Sequence, residues 1–228
     1  MTDPNQPQKY RLRLTFAKNN AVKYISHLDL MLAWERALRR AGIPLAYSEG
    51  FNPRPKIQAA SGLPLGTTGS AEILDIIITQ PVDSAEALRR IGPALPAGLA
   101  VHTVEEIPLK APTLQNLLRQ ADYEVMVETD LSAEALNQRI ARLLAADSIL
   151  QNRQRKGKTE QFDLRPWLHH LHLLQTDGHT ATLQMRLTAG QHGNLRPESV
   201  LAALGLSDSW VEVNRTRLIF EDDLPPAE

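Results

Sequence analysis

The sequence has no cysteine. Disulfides, zinc–thiolate centres and any cysteine-ligated iron–sulphur cluster within this chain are therefore excluded. Long apolar runs are missing as well. Nothing approaches the roughly 20 residues of a membrane span, and the polar start Met1-Thr2-Asp3-Pro4-Asn5-Gln6-Pro7-Gln8 lacks the apolar stretch of a signal peptide. A cytoplasmic location is the expectation. Charge of one sign is also missing: 25 Lys plus Arg stand against 26 Asp plus Glu, a net charge of -1. Such a balance exerts no global pull on nucleic acid, so any such binding has to come from local patches. Gly66-Thr67-Thr68-Gly69-Ser70 lacks the lysine and the spacing of a phosphate-binding P-loop, which leaves nucleotide hydrolysis without support. No cofactor is expected.

What remains is ordinary globular composition, 43% hydrophobic and 22% charged over 228 residues, enough for one large domain or two small ones. Tyr10 to Phe16 alternates large apolar and basic residues at period two, a half-buried strand with Leu12, Leu14 and Phe16 facing inward. Ser26 stands three residues before Asp29, the spacing of a capping box. The helix it opens carries Met31, Trp34, Leu38 and Ala41 as a buried stripe and stops at Gly42 and Pro44. Strands follow around Ile57 to Ser61 and Ala71 to Ile78, then a helix from Asp83-Ser84-Ala85-Glu86 to Gly92-Pro93 and a strand from Leu99 to Ile107.

Pro108 to Pro112 reads as a joint, with Leu114, Leu117 and Leu118 as a short packed helix. The pattern then recurs. Tyr123 to Glu128 is a strand, Ser132 to Ala146 a helix, and Leu168 to Leu174 and Thr180 to Leu187 are strands joined through Asp177-Gly178. A helix starts at Arg196-Pro197 and ends at Gly205, and Val211 to Phe220 closes as a strand. The order β, α, β, β, α, β appears twice. The expectation is an α+β chain of two tandem ferredoxin-like (βαββαβ) modules with antiparallel sheets, over 10–111 and 121–222, with flexible tails 1–9 and 223–228. A single α+β domain is the rival arrangement.

The turn Ser48-Glu49-Gly50-Phe51-Asn52-Pro53-Arg54-Pro55-Lys56 is hard to explain by folding needs alone. Pro53 and Pro55 stiffen the chain around Arg54, which cuts the entropy lost when Arg54 and Lys56 grip an anion. A rigid loop that pairs a ring with two cations can stack a nucleobase and hold its phosphate. The plainer alternative is that Phe51 tucks back onto the sheet and Arg54 is merely solvated. Tyr47, Asn52 and Glu49 complete the candidate surface.

The segments Tyr24-Ile25-Ser26-His27-Leu28-Asp29-Leu30, Glu35 to Pro44, Tyr47 to Ile57 and Leu63-Pro64-Leu65-Gly66 resemble the radical-SAM-associated domain of unknown function. Arg155-Lys156-Gly157 and Asp163-Leu164-Arg165-Pro166 are looser landmarks of the same resemblance. That family occurs as a separate protein or fused to the C-terminal end of a radical SAM protein, and this chain looks like the separate version. The resemblance implies an accessory or substrate-binding partner of a radical SAM enzyme, acting on RNA or another anionic substrate and without catalysis of its own. It supplies no catalytic residues. Without cysteine the chain cannot hold the three-cysteine cluster itself, so that chemistry falls to the partner.

Two other readings stay open. His27, next to Ser26 and Asp29 and with Arg36 or Arg40 as cations, could serve as the base of a metal-independent ribonuclease. Alternatively, Phe51 and the prolines could form a purely protein-docking element. Arg153, Arg155, Lys156, Lys158 and Arg165 make a second basic patch suited to phosphates or simply to water. Arg215 and Arg217, two apart on a strand, would point to one side and extend it. His169, His170 and His172 read as a surface histidine cluster, not a metal site.

Overall fold

In the computed structural model Leu12, Leu14 and Phe16 are buried along β1 (Tyr10–Lys18), as the period-two pattern requires. Residues 8–155 and 158–224 are described, without the side chains of 153–155 and 158. The chain divides into two compact units, residues 1–117 and 118–228.

In the first unit, β1 is followed by α1 (His27–Arg40), β2 (Ile57–Ala59), β3 (Thr67–Ile78), α2 (Ser84–Ile91), β4 (Leu99–Ile107) and α3 (Leu114–Leu117). Strands pair antiparallel in the order β4-β1-β3-β2. Both longer helices pack on one face of this sheet. Trp34 and Leu38 of α1 and Ala87 and Ile91 of α2 share a core with Leu12, Leu14, Leu74, Ile76 and Ile78, and Trp34 meets Phe16 edge-on at 5.0 Å. The buried stripe of α1 is Leu30, Trp34, Ala37 and Leu38, so the expected Met31 and Ala41 lie at its margin, half-buried. Alternation along β1 and β3 sends Arg11, Arg13 and Asp75 to the opposite face.

The second unit runs β5 (Leu118–Glu128), α4 (Ala133–Ala145), β6 (Leu150–Arg155), β7 (Lys158–Asp163), β8 (Leu168–Thr176), β9 (Thr180–Thr188), α5 (Pro197–Ala203) and β10 (Val211–Phe220). Its strands pair antiparallel as β10-β5-β9-β8. Leu136, Ile140, Val200 and Leu201 of the two helices are buried, as are Val125, Val127, Leu183 and Leu187 of the sheet.

Two separate ferredoxin-like modules, each with its own sheet, are not what forms. The strands make one eight-stranded sheet, in the order β4-β1-β3-β10-β5-β9-β8 with β2 against β3, and β6 and β7 form a second, two-stranded sheet. Within the first unit β2 has three residues and pairs with Leu74 to Ile76 alone on a β3 of twelve, too short to complete the four-stranded sheet of a ferredoxin-like module. The ribbon β6–β7, paired from Leu150 opposite Asp163 to Arg155 opposite Lys158, escaped the sequence pattern because its residues are charged where a strand usually alternates. Among the described residues no helix is long and apolar enough to cross a membrane.

Candidate functional site

The turn before β2 is a closed loop. The amide of Ser48 donates to the carbonyl of Arg54 at 2.8 Å, and the amide of Arg54 donates back to the Ser48 hydroxyl at 3.0 Å. Below this closure Tyr47 pairs with Pro55, the Lys56 amide donates to Ala46 O, and Ile77 N donates to Lys56 O, which ties the base to β3. Gly50 adopts φ +117°, a conformation that side chains rarely tolerate and one that lets the loop reverse. Ser48 is thus a staple of the loop and not part of its outer surface.

Phe51 does not tuck back onto the sheet. Its relative exposure is 105%, and Glu49, Asn52, Arg54 and Lys56 around it are exposed too, with Tyr47 at 40%. The guanidinium of Arg54 and the ammonium of Lys56 make no ion pair among the described residues. The result is an aromatic ring and two uncompensated cations on a stiff, backbone-closed turn.

At the start of α1 the capping box forms. The Ser26 hydroxyl accepts from Asp29 N at 3.1 Å and donates to Asp29 Oδ2 at 2.7 Å, while Ser26 N donates to the same carboxylate at 3.4 Å. His27 is exposed in the first turn, with its ring against Gly62, where an added Cβ would lie 3.7 Å from Cγ. Arg36 and Arg40 are not brought to it. Nine residues along a helix put Arg36 about 13 Å away on the opposite side, and thirteen put Arg40 about 20 Å up the axis. Arg40 is further occupied with Ala94 O at 2.6 Å.

Of the second basic patch, Lys156 lies outside the described residues, as do the side chains of Arg153, Arg155 and Lys158, whose backbones belong to β6 and β7. Arg165 is structural. Its guanidinium donates to Leu144 O, Ala146 O and Leu168 O at 3.0 to 3.2 Å, closing the C-terminal end of α4. Beside it, Asp163 accepts from Ile149 N and Arg165 N, and these amides hold its carboxyl below the usual range. Arg215 and Arg217 do not share a side. A bulge between them breaks the alternation, leaving Arg215 buried and Arg217 exposed with Asp223 at 3.6 Å.

On β8 the imidazoles of His170 and His172 meet at 2.6 Å, and His169 Nε2 meets the Thr188 hydroxyl at 2.8 Å. Partial desolvation lowers the pKa of His169, with Arg186 and Arg165 adding to it; desolvation and then His172 lower that of His170. Arg186 forks onto Asp122 at 2.7 and 3.0 Å, which raises its own pKa. No group of three metal-ligating side chains occurs among the described residues.

One group went unnoticed in the sequence. Asp75 is 3% exposed and receives Arg11 at 2.5 and 3.1 Å and Arg13 at 2.9 and 3.1 Å. Arg11, itself buried, also donates to Ala111 O and Pro112 O. Arg11, Asp75, Lys56 and Lys110 line a cleft of about 490 Å³ in the first unit. The available signal was a lone acid inside the apolar run Ile73 to Ile78, facing a strand with alternate arginines.

A family model described as an uncharacterized protein conserved in bacteria (DUF2344) matches residues 11–197. No curated protein matches the chain. Among solved structures it is similar to a chain of a Cbf5-Nop10-Gar1 complex, with 14% identity, a TM-score of 0.49 and coverage of 92% of this chain and 48% of that one. It is also similar to a chain of an H/ACA RNP bound to a substrate RNA containing 2'-deoxyuridine, with 14% identity, a TM-score of 0.48 and coverage of 91% and 47%. An unknown protein from Galdieria sulphuraria matches with 10% identity, a TM-score of 0.29 and coverage of 91% and 99%. The chain spans about half the length of the first two.

Proposed function

The chain belongs to the DUF2344 family, a domain found fused C-terminally to radical SAM proteins, and from that premise we propose that it is an accessory protein without catalysis of its own. It works beside a radical SAM enzyme and presents an anionic substrate, RNA in the first place, through the turn from Tyr47 to Lys56. The absence of cysteine assigns the cluster chemistry to the partner.

The observation that carries this reading is the complete exposure of Phe51 on a loop closed by Ser48 and Arg54. A wet phenylalanine forgoes about 1.5–3 kcal/mol of burial. Stacking on a base returns a comparable amount, about 1–3 kcal/mol, and a loop already fixed by hydrogen bonds and two prolines loses little further entropy on binding. Arg54 and Lys56 of the same turn supply cations for the phosphates. Among the described residues they have no carboxylate to release first.

The test is fluorescence anisotropy with labelled single-stranded RNA, comparing the parent with F51A/R54A across a salt series. The double substitution weakens binding at least about tenfold, since one base stack or one charge-assisted hydrogen bond is worth about 1.4 kcal/mol or more. The slope of log affinity against log salt falls by about 0.7 for each phosphate that the variant no longer neutralises. Unchanged affinity in F51A/R54A refutes the RNA reading. Binding to the radical SAM enzyme that ignores salt but needs Phe51 assigns the turn to protein docking instead.

A further inference from the structure

The cleft in the first unit has a charge balance that the fold itself does not require. Asp75 is its one acid, and four nitrogens from Arg11 and Arg13 already occupy both carboxylate oxygens. One positive charge is left over from that cluster. Lys56 at one side and Lys110 at another then line the same space, both exposed and neither in an ion pair among the described residues. Glu105 stands opposite Arg13 in the pairing of β1 with β4. Counting Arg13 and Glu105 with the lining residues, there are four cations to two carboxylates. Ile77 and Leu109 add apolar lining.

Arg11 shapes the cleft rather than reaching into it. Its donors are spent on Asp75 and on the carbonyls of Ala111 and Pro112, which pins the segment after β4 as one wall. The lysines are therefore the cations of the lining left to hold an anion. A volume of about 490 Å³ falls in the span of small-molecule sites, roughly 300–1,000 Å³, that combine apolar walls with a few placed charges.

We propose that this cleft binds a small organic oxyanion, a phosphate or carboxylate group carried on a flat or apolar body, with the anion between Lys56 and Lys110 and the body against Ile77 and Leu109. The proposal does not depend on RNA binding by the turn. Lys110 lies outside the turn, and the RNA test varies Phe51 and Arg54 alone, so the two readings fail separately.

Isothermal titration calorimetry at low salt with phenyl phosphate, benzoate and inorganic phosphate tests it on the parent, K110A, K56A/K110A and R142A. R142A removes an exposed cation from the second unit and serves as the control for loss of charge. Both lysines are exposed, so the variants keep the fold, checked by circular dichroism. Phenyl phosphate or benzoate binds the parent and R142A alike, weakens several-fold in K110A, and weakens at least about tenfold in K56A/K110A. Whichever of the two probes binds more tightly identifies the anion. The proposal is overturned by no heat from either probe, by affinity unchanged in K56A/K110A, or by inorganic phosphate binding as tightly as phenyl phosphate.

Discussion

Asp75→Asn keeps the size of the side chain but removes the charge that two guanidiniums share. The magnitude follows from the geometry. The Arg11 side chain is 6% exposed and grips Asp75 through Nε and one terminal nitrogen, whereas the Arg13 side chain is 24% exposed and can turn to water. Most of the cost therefore comes from Arg11, left as a buried cation facing an amide that offers one acceptor and opposes it with donors. Removing one partner of such a buried pair costs about 3–5 kcal/mol. Arg13→Ala, by contrast, costs about 1 kcal/mol or less, as a partly solvated pair does. Urea denaturation reads the difference: at an m-value of about 1–3 kcal/mol/M the midpoint of D75N moves by at least about 1 M with the slope unchanged. A D75N midpoint equivalent to less than about 1 kcal/mol would refute the claim that this carboxylate holds Arg11 in place.

Ser26→Ala removes the acceptor for Asp29 N and should lower stability by about 1 kcal/mol; thermal melts of S26A and S26A/D29A should nearly coincide, because each change breaks the same reciprocal box. Gly193→Ala would drive a Cβ into the Trp167 ring, and relieving that overlap costs about 1–3 kcal/mol or more, read as a lowered melting temperature. His169 and His170 have pKa values lowered in the folded state, so between those values and the unfolded value of about 6.5 the unfolded chain binds more protons. Stability from this source is complete above a pH of about 6.5 and is lost as pH falls toward the folded values. A thermal melt series from about pH 8 to about pH 5 on the parent and on H169N/H170N should show a shallower decline in the variant.

Much of the chain was legible where one physical signal dominated. The alternation of Leu12, Leu14 and Phe16, the Ser26–Asp29 spacing and the Pro197 helix start each express a local rule, and the structure follows all three. Pairings between distant residues were not legible. Nothing local to Arg11 announces a carboxylate 64 positions away, and the partial cover that β2 gives β3 depends on strand length, not on residue type. Bulges are equally silent: two arginines at i and i+2 read as one face until an irregularity between them turns one inward. In the turn, composition singled out the candidate, while the exposure of Phe51 was not legible. Arg165, grouped with phosphate-binding cations by its charge, turns out to serve helix carbonyls. Its planar fork suits that task better than an ammonium would.

Trp34 offers a use beyond packing. It is fully buried against Phe16, and its indole N–H is a buried polar atom with no hydrogen-bond partner among the described residues. An excited indole so buried meets no solvent water that can reorient around it, so its emission lies at the blue end of the tryptophan range. The other two tryptophans, Trp167 and Trp210, both belong to the second unit, and Trp210 is half exposed. A W167F/W210F chain would therefore carry a single optical reporter in the first unit. The red shift of that reporter would time the opening of the core beneath the candidate sites, independently of what the rest of the chain is doing.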